Sequence, residues 1–432
     1  MGHEAIHPNP WMILPFVALL GLIALAPLFF ADWWGRHYPK VAFALGAVTL
    51  GYYLFGLQAY ERALHTGIEY ISFICLIGSL FVVSGGIHIT VKGEATPGEN
   101  VRFLLFGALI ANVLGTTGAS MLLIRPWLRM NKYRVTAHHV VFFIFIVSNV
   151  GGCLTPIGDP PLFLGYLKGV PFWWVSEQCW PMWAVGVGML LAMFYVVDRS
   201  NYLRAPKAVR DQLAEPADTW RFEGGVNVFF LAVILGSVFI QNPPFLREGL
   251  MVAAAVGSWF ATKNHIHEAN HFNFHPIKEV AVLFVGIFAT MMPALDWLGA
   301  NARSFGAPTA SLFYWGSGAL SSVLDNAPTY LSYLEVAVGL HAAGLEASAG
   351  ESARMTALIA KPEFASLLVA ISVGAVFFGA NTYIGNGPNF MVKAIADQQK
   401  VHTPTFLGYV FKFTLPFMVP MLIVVWWLFF RH

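Results

Sequence analysis

The chain has 432 residues, of which 57% are hydrophobic, 15% aromatic and 11% charged. A soluble domain carries about 25% charged residues, and a mean hydropathy of +0.63 belongs to a polytopic membrane protein. The net charge of +2 excludes a nucleic-acid surface, and three scattered cysteines (Cys75, Cys153, Cys179) exclude a disulfide framework or zinc finger.

Residues 1–10 carry no Lys or Arg, so they lack the basic start of a signal peptide, and residues 11–30 read as a first membrane helix. A spanning helix needs about 20 apolar residues. Further apolar segments run over residues 41–57 and 67–91. The segment 101–130 is interrupted by Gly115-Thr116-Thr117-Gly118. Its legs, about 12–15 residues each, are too short to span, which predicts a re-entrant hairpin. Residues 138–168 form an apolar run opened by the Gly, Pro, Asn and Thr residues between Ser148 and Asp159, a broken helix. After a span at 180–198 comes a charged linker, residues 199–223, with Pro206 and Pro216.

The second half repeats the plan. Spans at 224–240, 248–262 and 278–298 precede a hairpin at 309–340, interrupted by Asp325-Asn326-Ala327-Pro328. A broken helix at 366–398 and a last span at 405–430 follow. The expected fold is an all-α polytopic membrane protein with about 10 spans, two re-entrant hairpins and two broken helices. With the N-terminus outside, 18 of the 25 Lys and Arg residues fall on the cytoplasmic side. Without the hairpins, Arg102 and the cluster Arg125–Arg134 would fall on opposite faces.

Five spans per half invert the second half relative to the first, so residues 1–198 and 224–432 read as an inverted-topology repeat. Val113-Leu114-Gly115 aligns with Val323-Leu324-Asp325, and Gly158-Asp159-Pro160-Pro161 with Gly385-Asn386-Gly387-Pro388. Ser148-Asn149 is set against Ala380-Asn381, which gives the first break about five extra residues.

Inverted repeats bring hairpin tips and helix breaks together near the midplane, where a cation finds carboxylate, amide, hydroxyl and freed carbonyl oxygens. The candidate ligands are Ser148, Asn149, Thr155 and Asp159 from the first break and Thr116 and Thr117 from the first tip. Asp325 and Asn326 come from the second tip, and Asn381, Thr382, Asn386 and Asn389 from the second break. The Asn, Thr and Ser positions also suit helix capping. Asp159 and Asp325 stand apart, because a carboxylate inside a span is expensive and functional by default. One carboxylate that takes either a proton or Na⁺ is the minimal device of cation/proton exchange. Asp296, His88 and Glu335 are further titratable candidates. The loop His265, His267, His271 and His275 reads as a solvated loop before it reads as a metal cluster. Trp33-Trp34, Trp173-Trp174 and Trp426-Trp427 read as interfacial anchors.

The stretch from Ser148 to Asp159 resembles the signature Ser-Asn-x-Gly-Gly-x-x-Thr-Pro-Ile-Gly-Asp of NhaD-type sodium/proton antiporters. Leu324-Asp325-Asn326 resembles their Leu-Asp-Asn hairpin motif. These proteins belong to the ion-transporter superfamily, whose citrate-carrier branch the chain also resembles. The resemblance implies a homodimer in a bacterial inner membrane, with a scaffold domain and a moving transport domain. It implies an elevator-type exchange of Na⁺ for H⁺, with those ions as cargo and no bound cofactor. The first tip departs from the pattern: Gly115-Thr116-Thr117 carries no charge where NhaD-type proteins have an Asp-Asn-like motif. The alternative is a Na⁺-coupled carrier of citrate or another di- or tricarboxylate, its anion held by backbone N–H groups at half-helix starts. No Lys or Arg lies within a tip or break, which favours the cation. An intramembrane aspartyl protease, the enzyme alternative, lacks its Tyr-Asp and Gly-x-Gly-Asp motifs.

Overall fold

The computed structural model describes residues 6–90, 95–204, 221–240, 242–306, 308–341 and 351–431. Among them, seven helices are long and apolar enough to cross a membrane by length and composition. The protein is an all-α polytopic membrane protein.

Helices α1 (Leu14–Phe29) and α2 (Ala31–Gly51) pack on each other, and α3 (Tyr60–Gly85) follows. α2 begins well before the expected residue 41, because Trp34 and Tyr38 bury against Ala26 and sustain the helix. α3 ends earlier than its apolar run. A Cβ on Gly86 would sit 2.5 Å from Asn227 Nδ2, so the chain passes there without a side chain. Beyond it, β1 (His88–Thr90) pairs antiparallel with β2 (Arg221–Glu223), His88 opposite Glu223.

The first hairpin is α4 (Pro97–Met130), opened by a capping box between Thr96 and Glu99. Gly115, at φ +73° and ψ +157°, reverses the chain in a conformation that is essentially glycine-only. The two ends then meet: Asn100 Nδ2 donates to Asn131 Oδ1 at 2.8 Å, and Ala95 N to Met130 O at 2.9 Å. The expected four-residue interruption shrinks to one residue.

α5 (Ala137–Ile146) and α6 (Pro160–Leu167) are the halves of the first broken helix, and α7 (Phe172–Arg204) follows. Of the expected linker, residues 199–204 complete α7, residues 221–223 form β2, and residues 205–220 lie outside the described residues.

In the second half, α8 (Val226–Ser237), α9 (Leu246–Ala261), α10 (Asn264–Ala269) and α11 (His275–Asn301) lead to the second hairpin. Its legs are α12 (Ala310–Ser321) and α13 (Asn326–His341), which pack with Phe313 and Tyr333 ring centroids 5.4 Å apart. α14 (Glu351–Ile359) precedes α15 (Pro362–Phe378) and α16 (Gly387–Gln398), the halves of the second broken helix. α17 (Phe406–Phe429) closes the chain.

α5 and most of α15 are buried on every face, as all-apolar helices should be. Large apolar side chains exposed on α1, α8 and α17, such as Val17, Phe229 and Leu407, supply a surface suited to lipid.

Candidate functional site

Two threonines shape the breaks. Thr155 Oγ1 donates to Asn112 O at 2.6 Å and accepts from Gly158 N at 3.1 Å. Thr382 Oγ1 donates to Ser322 O at 2.6 Å and accepts from Gly385 N at 3.2 Å. Each break folds so tightly that a Cβ on Gly158 would lie 2.1 Å from Gly152 O, and one on Gly385 2.6 Å from Gly379 O. Thr155 thus answers to Thr382, Gly152 to Gly379 and Gly158 to Gly385, at equal spacing. The alignment of Ser148-Asn149 with Ala380-Asn381, and its five extra residues, is corrected by these bonds. Asp159 and Asn386 then hold equivalent places, the residues just before α6 and α16.

These two meet. Asp159 is 1% exposed and accepts three side-chain hydrogen bonds. Thr116 Oγ1, from the first tip, reaches Oδ1 at 2.6 Å. Asn326 Nδ2, from the second tip, reaches Oδ2 at 2.5 Å. Asn386 Nδ2, from the second break, reaches Oδ1 at 3.0 Å and also faces Asn149 Oδ1 at 3.1 Å and Ser148 O at 3.2 Å. Both tips and both breaks therefore converge on one carboxylate. Asn149 Nδ2 in turn donates to Asn389 Oδ1 at 2.7 Å, and the hydroxyls of Ser148 and Ser120 lie 2.7 Å apart. A cavity beside Asp159 is walled by Leu80, Gly115, Thr117, Pro156 and Phe163.

The other expected residues stand further out. Asp325 is half-buried, and its Oδ1 accepts from Ala327 N at 3.0 Å, an N-cap of α13. Thr155 and Thr382 serve the loops. Asn381 Nδ2 donates to Ser322 Oγ at 2.9 Å. Two amide oxygens, Asn326 Oδ1 and Asn381 Oδ1, are buried with no hydrogen-bond partner among the described residues. Lys168 pairs with Glu69 at 2.6 Å and Lys393 with Asp397 at 2.5 Å. Among the described residues no Lys or Arg makes an ion pair with Asp159 or Asp325.

Asp296 is held by Arg62 at 2.9 Å and Tyr53 at 2.6 Å, so it is ion-paired and not a free relay. His88 meets Asn270 Oδ1 at 2.8 Å. The histidines of the 265–275 loop diverge: His265 turns to Glu223, His267 lies against Trp259 with ring centroids 4.4 Å apart, and His275 turns to Glu279. Burial holds the His267 imidazole below its usual pKa. Among the described residues the one group with metal-ligand spacing is His138, His139 and Asp198. The Arg134 guanidinium already binds Asp198 there, and Asn100 Nδ2 donates to it at 2.9 Å, so an ion pair fills the place of a metal.

Asn112 and Ser322 escaped the sequence reading. Asn112 Nδ2 donates to Gly151 O at 2.7 Å, and its Oδ1 accepts from Leu154 N at 2.9 Å, which ties the first hairpin to the first break. Both residues sit three positions before a tip, in the matched pair Asn112-Val113-Leu114 and Ser322-Val323-Leu324, which was the available signal.

Hairpin tips and helix breaks that bury a shared polar site inside a polytopic helical protein define a membrane transporter. The chain matches a family model described as putative citrate transport over residues 5–430 and belongs to that family. No curated protein matches the chain. The match supports the citrate branch of the resemblance and not the NhaD-type branch specifically.

Proposed function

We infer that the protein is a secondary active, cation-coupled carrier of citrate or a related di- or tricarboxylate. The observation that carries this reading is the donor cluster on Asp159. Thr116, Asn326 and Asn386 converge from both tips and one break to hold a carboxylate. The same donor types suit a carboxylate substrate entering the adjacent cavity.

Charge makes the coupling necessary. Citrate is a trianion at neutral pH, and Asp159 and Asp325 add negative charge with no Lys or Arg paired to them among the described residues. An anion enters such a site only with cations. Asn326 Oδ1 and Asn381 Oδ1, buried and without donors among the described residues, offer neutral oxygens of the kind Na⁺ takes. In this reading residues 1–198 and 224–432 are inverted repeats, and an elevator-type shift of hairpins and broken helices exposes the site alternately. The protein works as a homodimer in a bacterial inner membrane, N-terminus outside.

Na⁺/H⁺ exchange is the second reading, favoured by the missing cationic side chain and disfavoured by the family. One experiment separates them: purified protein in vesicles with an internal pH dye and labelled citrate outside. Citrate uptake that requires a Na⁺ gradient supports the carrier. Proton flux on a Na⁺ pulse without citrate uptake supports exchange and refutes the carrier.

A further inference from the structure

The second leg of the first hairpin leaves one line of its surface uncovered. Of residues 116–130, Thr117, Met121, Arg125 and Arg129 alone are not buried. A spacing of four sets them one above another on a single helix face. The line begins at Thr117, which walls the cavity beside Asp159 and makes no hydrogen bond among the described residues. It ends at the exposed Arg129, by the open end of the hairpin where Asn100 meets Asn131. Arg125 stands between them and is half-buried. Among the described residues it makes no hydrogen bond, ion pair or ring contact.

Two observations turn this face toward the seam between hairpin and scaffold helix. Gly118 lies two turns before Arg125 on the same face. A Cβ there would stand 3.4 Å from Ser84 Oγ of α3. In the second hairpin the matching position, as far past Asn326 as Arg125 is past Thr116, is Glu335. Glu335 is half-buried and turned to α11: a Cβ on Gly299 would stand 3.9 Å from its Oε2. A line facing lipid would also carry apolar side chains, whereas this one carries two arginines and a threonine.

Charge gives the position its use. Asp159 and Asp325 repel an approaching di- or trianion, and no Lys or Arg pairs with them among the described residues. An arginine half withdrawn from water without a counter-ion gains from an anion that reaches it. Its guanidinium fork matches a carboxylate with two parallel N–H bonds. The helix rise from Thr116 to Arg125 is about 14 Å, so Arg125 lies outside the central site. The Cα–Cβ bond of a helical residue tilts toward the helix start, which here is the tip. That tilt carries Arg125 along the line toward Met121 and the cavity.

We propose that Arg125 is a substrate-binding residue at the entrance: it takes a carboxylate of the incoming di- or tricarboxylate and hands the anion along the Met121–Thr117 face to the cavity beside Asp159. This rests on the carrier reading above. Arg125 serves the membrane face on which the hairpin opens, the cytoplasmic one in the proposed orientation.

The test compares right-side-out with inside-out membrane vesicles carrying the full chain, with labelled citrate and Na⁺ outside. The KM and maximal initial rate are measured in both. At the face where the hairpin opens, Arg125→Gln is expected to raise the KM for citrate about tenfold, the worth of one charge-assisted contact. The maximal rate, the KM at the other face and the unfolding midpoint stay near wild type. Arg125→Lys, which keeps the charge without the fork, should fall between the two. An unchanged KM at both faces overturns the proposal. A KM raised equally at both faces, or a maximal rate lost together with a lower unfolding midpoint, overturns it too, since Arg125 would then be structural. So does a wild-type rate that depends on anionic lipid and loses that dependence in Arg125→Gln at unchanged KM, because the guanidinium would then hold a lipid phosphate. Absence of citrate uptake from wild-type vesicles of both kinds ends the carrier reading and this proposal with it. Uptake by wild type with an unchanged KM in Arg125→Gln ends this proposal alone.

Discussion

Replacing Asp159 by asparagine keeps the shape of the side chain and removes its charge and one acceptor oxygen. Asp159 accepts from three donors, Thr116 and Asn386 on Oδ1 and Asn326 on Oδ2. The new amide must turn its N–H₂ toward either Asn326 or the other pair. Asn386 cannot reverse, since its Nδ2 also serves Asn149 Oδ1 and Ser148 O, and a reversed Asn326 would pair its Oδ1 with the new amide only by stranding its own Nδ2. At least one charge-assisted bond is lost, about 1.5–3 kcal/mol, and a buried donor is left unpaired at about 1–3 kcal/mol more. Together these amount to about 2.5–6 kcal/mol, a fall of roughly a hundredfold or more in the population of the native site. The assay pairs labelled-citrate uptake with thermal unfolding of the purified protein. Both should fall in Asp159→Asn. Unchanged uptake and unchanged unfolding would refute Asp159 as the centre of the site.

Asp325→Asn should separate the two measurements, because asparagine caps a helix as well as aspartate. Unfolding stays near wild type while uptake is abolished; full uptake would reduce Asp325 to a cap. Gly115→Ala forces a Cβ to 3.2 Å from Ile157 O at φ +73° and should lower stability by about 1–3 kcal/mol, read as a lower unfolding midpoint. His267 binds protons less readily folded than unfolded. As pH falls below its ordinary 6.5, the unfolded chain therefore gains a proton that the folded one refuses, and stability is lost. His267→Phe should weaken the acid dependence of the unfolding midpoint; an unchanged dependence would contradict the assignment.

The hairpins and breaks were legible because Gly, Pro, Asn and Asp punctuate otherwise apolar runs, and lipid leaves few uses for such residues. Asp159 was legible for the same reason. Its partners were legible as a set but not as contacts, since the Asn326 and Asn386 bonds span 167 and 227 residues of chain. The register of the two breaks was misread because Ser148-Asn149 looks like Ala380-Asn381, whereas the structure matches Thr155 with Thr382 through their carbonyl partners. Asn112 and Ser322 were hidden inside hairpin legs where neighbouring apolar residues dominate the pattern. The capping alternative for Asp325 survives in its bond to Ala327 N. The ion pairs of Asp296 and Lys168 join distant helices and leave no periodic trace in the sequence.

The central claim is that one buried carboxylate, gripped by both tips and the second break, organises a cation-coupled citrate site. Its most direct test is the initial rate of labelled-citrate uptake into vesicles with Na⁺, K⁺ or choline outside. The account predicts saturable uptake that appears with Na⁺ and disappears in Asp159→Asn. Citrate uptake equal in all three salts, or its absence from wild type under every gradient, would contradict it.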